Sequence, residues 1–362
     1  MIWLAAFLAV LAFVLAVPLP RLLSRAQWRV RSPWTTMLLW QSVALAGGLA
    51  LIGAPLVYGL LPFGESVPEA LSTVFGLAST ADGGALAQHH VTAWHIFSLC
   101  AALLLAVHLL LTLLRISVRT MAARRRHRDL VRLLSSPRAQ SGPDHTGYPA
   151  DPRVDHQPHR SPEPAAARPV RHPGALIIEH ETPLAYCLPG ITAARSVTVL
   201  SRGMIEAVGE QDLEAVVAHE HTHLAQRHHL LTMAFEAWYR ALPWLPTTRY
   251  GREAVLELTE MLADDGALRD HSREALIRAL ALSSGTGASR SRALDSAQRQ
   301  DTGSQTPGDD LSTAHSDDLD VTAARLRRLL QAPRPMPWAQ RAGIITGALA
   351  LLLVPTLLLV LV

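Results

Sequence analysis

Two histidines and a glutamate near the middle of the chain form a pattern used by metal-dependent hydrolases. His219, Glu220 and His223 stand in the order H-E-x-x-H. On a helix, residues i and i+4 share one face, so both imidazoles can reach a single ion. Glu220 lies about 100° around the helix from His219, where its carboxylate can accept a proton from water at that ion. The pattern predicts a zinc site with Glu220 as general base. In a chain with 17 histidines, a polar helix face with surface histidines is the alternative.

A third metal ligand is predicted on the next long helix. Glu260 follows His223 by 37 residues and completes a His, His, Glu set of the kind that binds zinc. Asp264, one turn later, is placed to hydrogen-bond a ligand imidazole and fix its tautomer. Glu257 is a competing ligand, but no acid follows it at the i+4 spacing. An amphipathic helix with an exposed acidic face is the alternative interpretation.

These residues belong to a predicted α+β domain at residues 175–282. Two short β-branched runs predict strands, with Pro189-Gly190 as a turn signal between them. Apolar periodicity then predicts three helices. The predicted strands are Ala175–Glu179 and Ser196–Leu200, and the predicted helices are Glu210–Leu231, Arg252–Asp270 and Ser272–Leu282. The apolar stretch Leu230–Leu245 is compatible either with contact to a bilayer or with a plain buried helix.

The rest of the chain is dominated by apolar segments long enough to cross a membrane. Only 17% of the residues are charged, against about 25% in ordinary soluble domains. Four spans are predicted, at residues 1–20, 35–62, 91–114 and 342–362. Arginines follow the first span and fill the basic juxtamembrane segment 115–134, whereas the loop between the second and third spans has none. Because basic loops stay cytoplasmic, this asymmetry predicts a cytoplasmic domain inserted before the last span.

Composition also sets apart two segments that flank the predicted domain. Residues 135–174 and 283–318 contain few aliphatic side chains and are predicted to be disordered linkers, and residues 319–341 a helical return segment. The net charge is only +3, and every basic residue is arginine, which is typical of a GC-rich bacterial genome and argues against nucleic acid as a partner. Two cysteines cannot form a disulfide framework, which fits a reducing compartment for the domain.

Three ordered motifs resemble a known family of membrane peptidases. These motifs, Ala185-Tyr-Cys-Leu-Pro-Gly190, Val216-Val-Ala-His-Glu-His-Thr-His223 and Glu260-Met-Leu-Ala-Asp-Asp265, are similar to those of the BlaR/MecR-type metallopeptidases, metallopeptidase family 56. The related HtpX and CAAX-prenyl protease group shares much of the same site. The resemblance covers about residues 124–330. It implies a zincin-like (gluzincin) fold, one zinc ion at His219, His223 and Glu260, and a catalytic Glu220. It also implies a substrate-binding segment with Ala185, Tyr186, Pro189 and Gly190.

The chain departs from this family in two places. Many relatives carry an acid five residues after the second ligand histidine, where this chain has His228, and no role is assigned to His221, His228 or His229. The antibiotic-sensing receptors also carry a penicillin-binding domain after the last helix, which is not expected here because the sequence stops at Val362.

The expected protein is therefore a multi-pass α-helical membrane protein with an inserted cytoplasmic zinc endopeptidase domain. The expected location is the bacterial cell membrane, and the expected partners are the lipid bilayer and a protein substrate. The resemblance implies as substrate either a cytoplasmic transcriptional repressor of the BlaI/MecI kind or the chain itself, in signal transduction. Two alternatives stay open, a catalytically inactive signalling scaffold and an HtpX-like protease for membrane-protein quality control.

Overall fold

In a computed structural model of the protein, four long apolar helices form a bundle. Three of them come from the amino-terminal part of the chain and the fourth from its carboxyl-terminal end. The structure describes residues 1–80, 90–134, 175–188, 197–284 and 309–361. Within them, the helices long and apolar enough to cross a membrane cover Ile2–Ser24, Pro33–Phe63, Ala93–Leu130 and Trp338–Leu361. These segments indicate a membrane protein, and they correspond to the four spans expected from the sequence.

The first two spans pack closely along one another. The first comprises α1 (Ile2–Ala16) and α2 (Pro18–Ser24), and the second comprises α3 (Pro33–Leu60), which continues as a 3-10 turn to Phe63. Leu15 lies in one buried cluster with Val43 and Ala46, and Leu8 lies in another with Ala50. The small side chains on α3 let the backbones approach closely, which is how apolar helices gain packing energy in lipid.

Two helices of the amino-terminal half extend beyond the expected spans. Helix α4 (Val67–Thr80) occupies half of the loop predicted between the second and third spans. Helix α5 (Ala93–Leu134) runs without a break through the third predicted span and the whole basic segment 115–134. The helix is continuous because arginine is compatible with helix and nothing in this segment breaks it. Its basic end therefore reaches the central region of the chain that follows.

A small three-stranded sheet begins the central region. Strands β1 (Ala175–Ile178), β2 (Ala185–Leu188) and β3 (Val197–Ser201) lie in the order β1-β3-β2. β1 pairs in parallel with β3, and β2 pairs with it antiparallel. The sequence predicts β1 and β3 within one residue, whereas β2 coincides with the first four residues of the segment expected to border the substrate cleft.

Among the described residues, six helices follow the sheet before the last span. They are α6 (Arg202–Ala207), α7 (Glu210–Ala225), α8 (His228–Ala241), α9 (Pro246–Ala267), α10 (Arg273–Ser284) and α11 (Asp309–Gln331), before the final helix α12 (Trp338–Leu361). The helix predicted as Glu210–Leu231 is in fact two helices, because Arg227 adopts a left-handed conformation with φ of 51°. Helix α9 begins six residues before its predicted start, with Pro246 in its first turn, a position that favours proline.

Helix α11 also differs from the sequence expectation. It begins at Asp309, so residues 309–318 are helical although they belong to the segment predicted to be disordered. The remainder of that segment, residues 285–308, and the whole predicted linker 135–174 lie outside the described residues. A helical return segment is expected at residues 319–341. Within it, α11 ends at Gln331 and α12 starts at Trp338.

The central region, which begins at β1, and the membrane bundle share one hydrophobic core. Met37 and Trp40 of α3 belong to a buried cluster with Phe235 of α8 and with Val255 and Leu258 of α9. Trp40 is 1% exposed. Truncating a large aromatic side chain that is buried in this way to alanine typically lowers the free energy of unfolding by about 3–5 kcal/mol. The helices of the central region are therefore packed rigidly on the second span.

Candidate metal centre

The two histidines of the H-E-x-x-H pattern lie on α7, which is held at both of its ends. In its first turn, Asp212 accepts two hydrogen bonds from the guanidinium of Arg278 on α10, at 2.9 and 2.6 Å. Near its other end, Thr222 lies against Gly266 of α9, where any Cβ would collide with the threonine side chain. Glycine at 266 therefore permits the close approach of α7 and α9 that brings their polar side chains together.

Three potential ligand atoms converge between these helices. His219 Nε2 lies 3.2 Å from His223 Nε2. The two carboxylate oxygens of Glu260 divide between these nitrogens: Oε2 lies 3.4 Å from His219 Nε2, and Oε1 lies 3.4 Å from His223 Nε2. Ligands bound tetrahedrally at about 2.0–2.1 Å from zinc would be about 3.3 Å apart. Two imidazoles and one carboxylate at this spacing fit a catalytic zinc site, which keeps a fourth position for water or substrate.

His219 is oriented by a buried ion pair behind it. Asp264 Oδ1 lies 3.0 Å from His219 Nδ1, and the aspartate side chain is 1% exposed. Arg325 of α11 donates to both oxygens of Asp264, at 2.9 and 2.6 Å. The Nη1 atom of Arg325 also lies 2.9 Å from Glu260. The contact to Asp264 places the proton of a neutral His219 on Nδ1 and leaves Nε2 as the metal-binding atom.

The charges around His219 shift the pKa values of this group in opposite directions. Burial and the positive Arg325 lower the pKa of His219, but Asp264 and Glu260 outweigh them and raise it to about 9. Burial raises the pKa of Asp264, but Arg325 and His219 outweigh it and lower it to about 2. The pKa of Glu260 is likewise held well below its usual range, because Arg325 and the two histidines outweigh its burial. Both acids are therefore carboxylates at neutral pH.

His223 is oriented by neutral partners. Its Nδ1 lies 3.0 Å from Nδ1 of His228, and Nε2 of His228 lies 3.0 Å from the side-chain oxygen of Gln226. Burial and the neighbouring His223 lower the pKa of His228 to about 4, so His228 is uncharged at neutral pH. The consistent tautomers have His223 donating from Nδ1 to His228, and His228 donating from Nε2 to Gln226. His223 Nε2 is then also unprotonated, with its lone pair directed at the cluster.

Glu220 lies between the metal cluster and the sheet. Its residue is 5% exposed, and its Oε2 accepts a hydrogen bond of 3.3 Å from the backbone N–H of Cys187 in β2. Because this N–H points at α7, the edge of β2 opposite β3 runs beside the carboxylate. This placement suits a general base next to an extended peptide.

The other residues singled out by sequence lie outside the cluster. Glu257, the competing ligand, forms an ion pair of 2.7 Å with Arg29 from the loop before α3. Burial raises the pKa of Glu257, and Arg29 offsets only part of this rise. His221 is exposed. Burial, with the nearby Arg124 and Arg227, lowers the pKa of His229 to about 4.

The expected substrate-binding residues lie on or beside β2. Ala185 is buried and pairs with Leu200 of β3. The hydroxyl of Tyr186 lies 3.2 Å from Nε2 of His127 on α5, which ties β2 to the long helix of the third span. Pro189 and Gly190 lie outside the described residues.

Sequence reasoning did not find Arg325 or assign a role to His228. Arg325 lies 61 residues beyond its partner Asp264, in the predicted helical return segment 319–341 and beyond a predicted disordered linker, so nothing local connects the two. For His228, the signal was available. The resemblance implies that many relatives carry an acid at this position, and a histidine there can also accept a hydrogen bond from the imidazole of His223.

A comparison with known protein families supports this interpretation. Residues 155–292 match the model of peptidase family M48. The match supports a metallopeptidase of family M48, and peptidases of this family are typically zinc-dependent. The matched residues include the sheet. They also include α7 and α9, the two helices that hold the three potential ligands. The closer resemblance to the BlaR/MecR-type enzymes of family 56 is not confirmed by this match. No curated protein and no solved structure gives a significant match.

Proposed function

We propose that this protein is a membrane-anchored zinc endopeptidase. The observation that carries the proposal is the convergence of His219 Nε2, His223 Nε2 and Glu260 at 3.2–3.4 Å from one another, with Glu220 alongside. The match to peptidase family M48 supports the same chemistry. His219, His223 and Glu260 are assigned as zinc ligands, Glu220 as the general base, and Asp264 as the residue that orients His219.

The chain's own side chains account for the proton transfers of peptide hydrolysis. Zinc bound to such a ligand set supplies Lewis acidity, which polarises a peptide carbonyl and makes water more acidic. Glu220 takes the proton of the attacking water and passes it to the leaving amine. The N–H of Cys187, 3.3 Å from Oε2, holds the carboxylate in place while it does so. Asp264 and His228 keep the two imidazoles in the tautomers that leave Nε2 unprotonated.

The substrate is proposed to bind as an extended strand beside β2. Antiparallel addition of a peptide to a sheet edge gives main-chain hydrogen bonds that do not depend on substrate sequence. The edge of β2 that faces Glu220 would place a bound peptide next to the general base. Ala185 and Tyr186 belong to this edge strand, and Pro189 and Gly190 would extend it.

The peptidase domain is proposed to lie on the cytoplasmic side of the cell membrane. Arginines cluster after the first span and after the third, and the side where arginine accumulates in short loops is the cytoplasm. Arg29 in the first of these loops pairs with Glu257 on α9, which puts the arginine-rich loop and the peptidase domain on the same side.

The proposed substrate is a cytoplasmic repressor of the BlaI/MecI kind or the chain itself. Its support is the resemblance of the three motifs to BlaR/MecR-type enzymes and the proposed sidedness. Quality control of membrane proteins is the second candidate, favoured by the direct packing of α8 and α9 on the second span. An inactive signalling scaffold would keep the same fold without turnover.

Metal content of the purified protein tests the site. We expect about one zinc per chain in detergent-purified wild type, and loss of zinc in His223→Ala and in Glu260→Ala. Glu257→Ala is the matched control, because it removes an acid from the same helix, one turn earlier, that faces Arg29. Failure of well-folded wild type to take up zinc, or equal loss in Glu257→Ala, would contradict the assignment.

Peptidase activity then separates an enzyme from a scaffold. Glu220→Gln should retain zinc and lose cleavage of a protein substrate, about 10²–10⁴-fold, because it lacks the general base. Unchanged turnover in Glu220→Gln would exclude its role as base. Zinc binding without any turnover in wild type, on either an unfolded protein or a repressor, would favour the scaffold.

A further inference from the structure

The turn between α8 and α9 lies among the membrane-spanning helices. Ala241, Leu242 and Leu245 form a buried cluster with Ala16 at the end of α1, and Leu105 and Leu109 of α5 pack against it. We call residues 241–245 the hairpin tip. The peptidase domain thus reaches into the bundle, although the same two helices carry His228, at the start of α8, and Glu260, toward the other end of α9.

The depth of the hairpin tip follows from the helices it touches. Ala16 precedes Arg21, the first charged residue of its span, by five residues, and Leu109 precedes Arg115 by six. At about 1.5 Å per residue, these contacts lie about 8–9 Å from the charged ends of the spans. Leu105 lies about 15 Å from Arg115 by the same rise. The tip is therefore level with the apolar part of two spans.

Three carbonyls of the hairpin tip accept hydrogen bonds from side chains of the protein itself. The carbonyl of Ala241 lies 3.0 Å from Nε2 of His108 on α5, and an N–H at this atom donates to it. The hydroxyl of Thr248 donates to the carbonyls of Leu242 and Leu245, at 2.8 Å each. The prolines at 243 and 246 carry no N–H that would need an acceptor. Carbonyls at a helix end are usually left to water, so this arrangement suits surroundings without water.

The outer surface of the hairpin tip also matches a membrane environment. Trp244 stands at its apex and is 73% exposed. Tryptophan is enriched where the hydrocarbon meets the headgroups. The charged side chains nearest to it are paired one turn away along each helix, Arg240 with Glu236 and Arg249 with Glu253. Arginine next to a membrane surface can extend its side chain toward the headgroups while the backbone stays deeper.

We propose that the hairpin tip is embedded in the lipid bilayer, with Trp244 in contact with lipid acyl chains near the headgroup boundary. The tip and the spans then form one continuous lipid-facing surface. Glu260 lies fourteen residues beyond Pro246 on the same helix, so α9 holds it about 21 Å from the tip. The embedded tip fixes the height of this residue relative to the membrane. This inference concerns anchoring and does not depend on the proposed catalysis.

Spin-label accessibility in lipid nanodiscs tests the proposal. The full chain with Cys100→Ala and Cys187→Ser carries one new cysteine, from Trp244→Cys, Leu104→Cys or Leu282→Cys. Leu104 is 70% exposed within the third span, and Leu282 is 43% exposed on α10 of the peptidase domain. Collision of the label with oxygen, which concentrates in lipid, is compared with collision with a water-soluble nickel chelate.

The expected result is a ratio of oxygen to nickel collisions at position 244 that exceeds the ratio at 282 and approaches that at 104. A ratio at 244 equal to that at 282 would overturn the proposal. Trp244→Cys removes a largely exposed side chain, so the fold is retained, and circular dichroism checks this. Brominated lipids give a second measure without a label. The emission that Trp244→Phe removes from wild type must be quenched by these lipids, and a difference between the two emission spectra that brominated lipids leave unquenched would overturn the proposal as well.

Discussion

The two ligand histidines are supported by different chemistry although they lie one turn apart on α7. His219 faces a buried carboxylate, Asp264, which is itself clamped by Arg325. His223 faces an imidazole, His228, which is in turn held by an amide, Gln226. The first support carries full charges and the second carries none at neutral pH. Both place a proton on Nδ1 and leave Nε2 for a metal.

The difference separates orientation from electrostatics. A neutral hydrogen-bond acceptor is sufficient to fix the ring and tautomer of an imidazole, whereas a carboxylate also raises its basicity. The charged side brings a cost, because a buried carboxylate needs a counter-charge, and Arg325 provides it. The neutral side needs no such partner. Four predictions test this contrast, beginning with the largest expected effect.

Removing the carboxylate behind His219 should have the largest effect. In Asp264→Ala, His219 loses its acceptor, and Arg325 loses one of the two carboxylates that it pairs with among the described residues and keeps Glu260. We expect zinc affinity to fall about 10–100-fold and the free energy of unfolding to fall by about 3–5 kcal/mol. Competition with a fluorescent chelator and thermal unfolding measure the two effects.

Asp265→Ala is the control for this change. Asp265 is the next residue along α9 and pairs with Arg328 at 2.7 Å, not with a histidine. It should keep the zinc affinity of wild type. Equal losses in both variants would mean that the acids act on the fold alone and that Asp264 has no specific effect on His219.

Separating α7 from α9 should affect both histidines together. Gly266→Ala introduces a Cβ that meets the side chain of Thr222, so we expect a loss of about 1–3 kcal/mol in the free energy of unfolding. The zinc affinity should fall as well, because Glu260 moves away from both imidazoles. The double variant with Thr222→Ala should recover part of the stability, because it removes the two nearest atoms, Oγ1 and Cγ2, and leaves only Cβ of residue 222 within 3 Å of the new Cβ. No recovery there would indicate strain at another contact.

Changing the support of His223 should have a smaller effect than changing that of His219. His228→Ala removes a neutral acceptor and leaves no buried charge unpaired, so we expect about a tenfold loss of zinc affinity. His228→Asp makes the two sides alike, and it should bind zinc at least as tightly as wild type. A loss in His228→Asp as large as in His228→Ala would show that a carboxylate cannot replace the imidazole here. Isothermal calorimetry of the refolded, zinc-stripped proteins measures both variants.

The pH dependence of zinc binding should report the charged side only. The pKa of His219 is raised to about 9 from its ordinary value near 6.5, so its proton stabilises the zinc-stripped fold below about pH 6.5. This stabilisation is lost as the pH rises through 9. Because zinc must displace that proton, zinc affinity should rise by up to about tenfold per pH unit until pH 9.

Asp264→Asn supplies the matching variant for the pH experiment. Without the carboxylate of Asp264, Glu260 is left to oppose burial and Arg325, so the pKa of His219 falls and the affinity should level off at a lower pH than in wild type. Identical pH profiles for the two proteins would contradict the raised pKa of His219. His228, with a pKa of about 4, should add no slope above pH 6.

Local sequence patterns were sufficient to place the potential ligands and the spans. The i, i+4 spacing of His219 and His223 puts them on one helix face, and the Glu260–Asp264 spacing does the same on α9. Runs of about twenty apolar residues identify spans by length alone. The break between α7 and α8 was missed, because the left-handed Arg227 has no glycine or proline to mark it.

Helical periodicity and apolar length are local properties of the chain. The amino-acid sequence alone is therefore sufficient to predict which chemical groups each helix or strand offers. The hydrogen bonds and ion pairs that orient each potential ligand depend instead on the tertiary structure. Arg325 reaches Asp264 across 61 residues, His108 reaches Ala241 across 133, and Arg29 removes Glu257 from the competition for the metal. Such pairs depend on how whole helices pack, and packing sums many small contacts that no single segment contains.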